Sequence, residues 1–182
     1  MSQENSQHPI ALLRDLERRS RSNAHGLPQQ EELKNEWGGI AFNLGQANLL
    51  APLGEVVEIL TMPGLSRIPG VKPWVLGIAN VRGNLLPIMD LSGYLSGEKT
   101  VLNKRSRVLV MNYKAVFSGL LVDNVAGLRR FEEEDLTTEV PRVISSSYVP
   151  YLERAYKKNE EHWAVFSMRK LIETPAFLQV AI

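Results

Sequence analysis

From residue 37 onward the chain is a succession of short apolar runs separated by glycine, proline, asparagine or aspartate. The runs are "IAFNL" (40–44), "NLLAPL" (48–53), "EVVEIL" (55–60), "WVLGIANV" (74–81), "NLLPIMDL" (84–91), "RVLVMNY" (107–113), "VFSGLLVD" (116–123), "VAGLRRF" (125–131) and "HWAVFSM" (162–168). Each has the length and composition of a β-strand, and little helical periodicity lies between them. Many short strands at near-regular spacing predict an all-β barrel or sandwich. Two short helical stretches break the pattern: a turn of helix in "LSGYLSG" (91–97), and a closing helix in "RKLIETPAFL" (169–178) that ends near Pro175.

Before residue 37 the pattern differs. "PIALLRDLERRSR" (9–21) puts Ile10, Leu13 and Leu16 at helical spacing, with Arg14, Glu17, Arg18 and Arg21 elsewhere on the surface. Pro9 suits a first helical position. Residues 1–24 therefore read as a tail with an amphipathic helix, either docked on the body or serving as a partner-binding arm. Its apolar stripe is short and lacks aromatics, which disfavours a membrane-surface helix. Residues 25–36 read as a polar linker with a turn of helix near 29–35.

The stretch "IANVRGNLLPIMD" (78–90) raises a specific question, because both arms of an evident hairpin are apolar beyond simple alternation. Gly83-Asn84 reads as its two-residue turn, with glycine supplying the positive φ. Either both faces are buried, or one face meets a partner. Pro87 has no N–H to donate to a ladder, so the second arm is expected to be an edge or bulged strand. An apolar edge is normally covered, and a partner protein is the economical cover. Arg82 has two readings here. One is an exposed turn residue. The other is the partner of Glu58, which shares a strand face with Val56 and Leu60 and needs a cation if it is partly desolvated there.

Composition removes several functions. The 182 residues carry a net charge of +1 and no cysteine. One domain of this size buries a core without staples. Disulfides and thiolate metal sites are excluded, and no broad basic field points to nucleic acid. His8, His25 and His162 lack metal-ligand spacing. The serines of "ISSSY" (144–148) and the acids of "FEEEDL" (131–136) read as a polar loop and a solvated face. Asp90 and Asp123 end apolar strands as turn formers. A nucleic-acid barrel would need basic and aromatic residues interleaved on one face, whereas "LRR" (128–130) and "NKRSR" (103–107) adjoin no aromatic stripe. No secretory signal and no apolar run long enough to span a membrane is present, so a cytoplasmic protein is expected. Nothing in the chain supports an enzyme.

The chain from about Trp37 to Pro175 resembles the CheW-like coupling proteins of bacterial chemosensory arrays. The resemblance rests on "IAFNLG", "EVVEIL", "LSRIPGVKPWVLGIANVRGNLLPIMDL", "RVLVM" and "SGLLVDNVAGL". Its most specific part places Asn80, Arg82, Gly83, Pro87, Asp90 and Leu91 on the family signature. The segment 1–36, the closing strand "WAVFSM" in place of a leucine pair and an acid, "PGVKPWV" and "GIANVRGNLLP" look like the PilI branch of type IV pilus (twitching motility) systems. The resemblance implies two intertwined five-stranded SH3-like barrels over 37–178, with short N- and C-terminal helices. It also implies a non-enzymatic adaptor, without cofactor or metal, between the cytoplasmic tip of a methyl-accepting chemoreceptor and the regulatory domain of a CheA-type histidine kinase. The hairpin carrying Gly83 would dock on the kinase, and an apolar groove between the barrels would receive the receptor helices. The acid at Glu58 and the arginine at Arg82 would form a structural ion pair that matters for coupling. The expected partner-binding residues are thus Val56, Glu58, Arg82, Gly83, Leu85, Pro87 and Ile88. No membrane insertion is implied; recruitment to membrane-associated, polar arrays is. A nucleic-acid barrel and a purely structural array component stand as alternatives.

Overall fold

The computed structural model describes residues 10, 13–14, 17–19, 36–114, 116–139, 141 and 143–182. The chain divides into two units, 1–34 and 35–182. In the first, the described residues Ile10, Leu13, Arg14, Glu17, Arg18 and Arg19 are helical, as the spacing predicted, and all are exposed, Ile10 and Leu13 included; the 25–36 linker lies outside the described residues except for Glu36.

Among its described residues the second unit holds eleven strands. In order they are β1 (Trp37–Leu44), β2 (Ala47–Pro52), β3 (Glu58–Thr61), β4 (Val75–Val81), β5 (Asn84–Asp90), β6 (Arg107–Tyr113), β7 (Val116–Val122), β8 (Asn124–Phe131), β9 (Leu136–Thr137), β10 (Leu152–Lys158) and β11 (Glu161–Phe166). Helix α1 (Leu91–Ser96) follows β5, and α2 (Met168–Glu173) and α3 (Pro175–Leu178) follow β11. The strands form a five-stranded sheet ordered β3-β6-β7-β5-β4 and a six-stranded sheet ordered β8-β1-β2-β11-β10-β9. The first sheet is one continuous stretch of chain inserted between β2 and β8 of the second, so the two are intertwined. Each sheet is antiparallel except for one parallel pair, β5 with β7 and β2 with β11. The sixth strand, beyond the five expected per barrel, is the two-residue β9 on the outer edge of β10.

Strand alternation accounts for the continuous apolar runs. In β6, Val108 and Val110 point into the five-stranded barrel, while Leu109 and Met111 point into a seam shared by both sheets. In β11, Trp163 and Val165 fill the six-stranded barrel, and Ala164 and Phe166 fill the seam. Both faces of these strands are buried, so both lose their polar positions. The seam is finished by Trp74 stacked on Phe177 with ring centroids 5.5 Å apart, and by the Tyr94 and Tyr151 hydroxyls at 3.0 Å.

Several expectations are corrected. The stretch "LERAYKK" forms β10, which the apolar pattern missed. The closing helix is two helices, with Thr174 between them and Pro175 starting the second rather than ending the first. Residues beyond 178 belong to the body: Lys72 N donates to Val180 O, and Ile182 N to Gly70 O. Asp90 is more than a turn former. It is 1% exposed, caps α1 by accepting from Gly93 N, and accepts from both Thr100 N and Thr100 Oγ1.

The edge strand is β4, not β5. Pro87 pairs with Ile78, whose own N–H and C=O are turned outward to Ser66. The missing N–H of Pro87 therefore faces the β7 side, where pairing begins only at Ile88. Proline is tolerated because it precedes that ladder. The β4 edge is also covered in part by the chain itself, through the paired Ser66 and Ile78 hydrogen bonds.

Candidate functional site

The hairpin of β4 and β5 turns at Arg82-Gly83, one residue earlier than the pattern suggested, because Val81 pairs with Asn84. Both turn residues have positive φ, 52° for Arg82 and 86° for Gly83. This is the turn whose twist matches the flanking strands. Gly83 N donates to Asn80 Oδ1 at 2.9 Å and closes the turn. An arginine in this conformation is uncommon, since side chains other than those of asparagine and aspartate lack a local hydrogen bond to offset the strain.

What Arg82 contributes is its guanidinium. Nη2 donates to Glu58 Oε1 at 2.6 Å. Glu58 pairs with Val110 and Leu60 with Val108, so the Glu58 side chain leaves β3 on the face that lines the barrel. β3 and β4 are the two edges of the five-stranded sheet, and the ion pair joins β3 to the tip of the hairpin that β4 shares with β5. The pair acts as a clasp across the barrel mouth. Glu58 is 29% exposed and Arg82 77%, so the acid is largely covered and the cation faces water.

The other sequence-selected residues divide by orientation. Leu85, in the outward-facing row of β5, is 69% exposed, and Pro87 in the same row is half-buried. Ile88 is fully buried among Ala79, Leu86 and Val108, and Val56 is 9% exposed. Neither of those two presents a side chain to a partner in this conformation. Both side chains pack into the core clusters of the protein. The residues that sequence reasoning missed are Val57 and Ile59, exposed by 57% and 41% on either side of Glu58. Their signal was available: if Glu58 and Leu60 face the barrel, strand alternation turns Val57 and Ile59 outward. Large apolar side chains therefore flank both ends of the clasp, Val57 and Ile59 beside Glu58 and Leu85 beside Arg82.

A second feature lies between elements of the two sheets. A cleft of about 710 Å³ is bounded by the β1–β2 turn, α1 and the 143–148 loop. Leu44, Leu95, Val143 and Tyr148 line it together with Gln46, Glu98 and four serines. It is more polar than the groove expected between the barrels. Burial raises the Tyr148 phenol above its ordinary value, with Asp123 and Glu98 adding to the shift, so the phenol stays a neutral donor.

Among the described residues no cluster of His, Asp and Glu could hold a metal ion, and no helix is long and apolar enough to cross a membrane. The basic strand end at 128–130 offers no stacking platform. Arg129 lies over the Trp163 ring at 5.1 Å, but Trp163 and Phe131 are buried.

Comparison with known proteins adds an independent line. Residues 38–176 match the model of the CheW-like domain. The chain is 43% identical over 176 residues to the protein named PilI of Pseudomonas aeruginosa, covering 97% of this chain and 98% of that one. It is 27% identical over 135 residues to the chemotaxis protein CheW of Helicobacter pylori, covering 74% and 81%. Its fold is shared with the crystal structure of the scaffolding protein TtCheW from Thermoanaerobacter tengcongensis. There the TM-score is 0.65 at 21% identity, over 77% of this chain and 94% of that one.

Proposed function

The chain belongs to the CheW-like domain family, whose members are scaffolds rather than enzymes, and from that premise we propose that it couples a methyl-accepting chemoreceptor to a CheA-type histidine kinase in type IV pilus signalling. The twitching-motility assignment is supported by the near full-length similarity to PilI. On this reading the protein works in the cytoplasm and is carried to membrane-associated, polar arrays by its partners.

The observation that carries the reading is the clasp and its surroundings. Arg82 occupies a strained turn position where its side chain reaches Glu58, and Val57, Ile59 and Leu85 are left exposed beside the pair. Exposed apolar side chains around a fixed charged pair make a compact docking surface, in which a few large residues carry most of the affinity. The kinase regulatory domain is the proposed occupant of this surface. The cleft between α1 and the 143–148 loop is the proposed seat of the receptor tip. Transmission requires coupling between the two faces, typically about 1–3 kcal/mol.

The test is a calorimetric titration of the full chain against the kinase regulatory domain from the same organism, with wild type and the Arg82→Ala and Leu85→Asp variants. Saturable one-to-one binding that both variants weaken is expected. Wild-type affinity in folded Arg82→Ala and Leu85→Asp variants would remove the hairpin from the interface. If binding is intact but receptor and kinase activities stay unlinked in a reconstituted complex, the protein is an array component without a signalling role.

A further inference from the structure

The cleft beside α1 has a charge and a lining that the coupling reading does not use. Among the described residues that line it none is Lys, Arg or His, and its one acid is Glu98. Glu98 is exposed, and its carboxylate has no ionic or hydrogen-bond partner among the described residues. Its backbone is nonetheless held in place. Gly97 ends α1 with a φ of 78°, and Glu98 N donates to Ser96 Oγ at 3.3 Å. A second carboxylate stands at the β1–β2 turn, where Asp123 Oδ2 accepts from Gly45 N at 2.6 Å. Burial raises the Tyr148 phenol, and both acids raise it further, so their fields reach into the cleft.

The rest of the lining is apolar or accepts hydrogen bonds. Leu44, Leu95 and Tyr148 are largely buried and give the cleft an apolar wall. The hydroxyls of Ser92 and Ser96 lie 3.4 Å apart, and those of Ser145 and Ser147 3.3 Å apart. Each pair keeps lone pairs for a further donor. The volume of about 710 Å³ admits several side chains of a docked helix. A guest that fits must bring donors and positive charge on an apolar stem. Arginine has this form. Its stem covers apolar surface while its head stays polar, its five N–H groups suit scattered acceptors, and its plane stacks on an aromatic ring such as that of Tyr148. Lysine brings three donors on a compact, strongly hydrated head and fits less well.

We propose that the helix seated in this cleft carries an arginine whose guanidinium lies beside Tyr148 and pairs with Glu98. This rests on the cleft being the seat of the receptor tip, and adds the chemistry that the tip must present there. Glu98 is then a specificity residue. It is solvated in the free chain and loses water only when the helix docks, so the arginine is needed in the complex and not for folding. A tip that brings an acid to the same place is rejected, because like charges are set side by side as water leaves.

The experiment is a calorimetric titration of the purified full chain with the whole cytoplasmic domain of the receptor from the same organism, at low and high salt. Glu98→Lys and Glu98→Gln are first checked for a wild-type urea midpoint. Glu98→Lys is expected to weaken binding by about tenfold or more, and Glu98→Gln by less. High salt should cost the wild type more affinity than it costs Glu98→Gln. Each arginine of the receptor tip is then changed singly to glutamate. One such change should weaken binding to the wild type and restore binding to Glu98→Lys. Glu98→Lys at wild-type affinity overturns the proposal and leaves the receptor in the cleft. So does a set of arginine changes in which none rescues. A wild-type chain that fails to bind the receptor domain at all removes the receptor from the cleft, and the proposal with it.

Discussion

At the scale of single residues the structure separates stability from function at Arg82. The left-handed conformation costs a non-glycine residue roughly 1–2 kcal/mol, and an exposed ion pair returns only about 0–1 kcal/mol. Stability alone does not favour arginine at this position, and the proposed contact with a partner does. Arg82→Gly should therefore leave the urea midpoint nearly unchanged, since relief of strain offsets both the lost pair and the added chain entropy. The same variant should lose affinity for the kinase regulatory domain. A large fall in midpoint would mean that the clasp is a stability device instead. Ser118 makes a converse case. It is 1% exposed, and its Oγ has no hydrogen-bond partner among the described residues. An unpaired buried hydroxyl costs about 1–3 kcal/mol, so Ser118→Ala should raise the midpoint, a change readable by thermal or chemical melts. The Arg82 and Glu58 types were legible in the sequence, and the outward turn of Val57 and Ile59 followed from alternation. The inward turn of Ile88 was not legible, because an apolar residue on a doubly buried strand has no polar neighbour to reveal its direction.

At the scale of elements the informative strand is β4. Its free edge is partly closed by the 62–72 segment, whose Ser66 exchanges two backbone hydrogen bonds with Ile78, at 2.8 and 2.9 Å. Gly77 makes that crossing possible: its φ is +145°, and a Cβ there would collide with the Ser66 carbonyl oxygen. Gly77→Ala should cost about 1–3 kcal/mol in backbone strain and speed amide exchange at Ser66 and Ile78. The uncovered edge should then promote aggregation. Unchanged exchange at those two amides would show that the segment is held by its side chains. The α2 helix has its own tether, Lys114 Nζ to Glu173 Oε1 at 2.7 Å. Lys114 holds the Glu173 carboxyl below its ordinary value of 4.5, so the tether is in place above that pH and weakens as pH falls through the folded value. Glu173→Gln should flatten the acid limb of the stability profile slightly, the pair being exposed. Strands with two apolar faces were easy to read from sequence, and β10 was not. Of its seven residues only Ala155 and Tyr156 are buried, the others being Leu152 and four charged side chains. Its place is fixed by pairing with β11, which no local pattern encodes.

At the scale of the whole molecule the two barrels share a seam, and this decides how they unfold. The seam cluster takes residues from β1, β2, β5, β6, β7 and β11, together with α1, α2 and Phe177 of α3. Every one of these strands donates alternate side chains to a barrel interior and to the seam, so neither barrel keeps its outer face covered if the other opens. Phe177 is fully buried, stacked on Trp74 and edge-on to Tyr94 at 5.1 Å. Beyond it, Val180 and Ile182 bond to the loop that leads into β4. The end of the chain thus locks the sheet formed in its middle. Phe177→Ala removes a large aromatic from this closed site and should cost about 3–5 kcal/mol. Because the seam is common, that loss should lower the stability of both barrels together. The tryptophans report on two places: Trp74 packs against the seam, while Trp37 and Trp163 belong to the six-stranded barrel. With single-tryptophan variants, the Phe177→Ala transition should fall at one denaturant concentration for all three probes, as cooperative unfolding requires. An earlier transition at Trp74 with Trp37 and Trp163 unmoved would mean that the seam opens while the six-stranded barrel stays folded. A signal passing from the proposed docking surface on one barrel to the proposed receptor cleft would then need a route other than the shared seam.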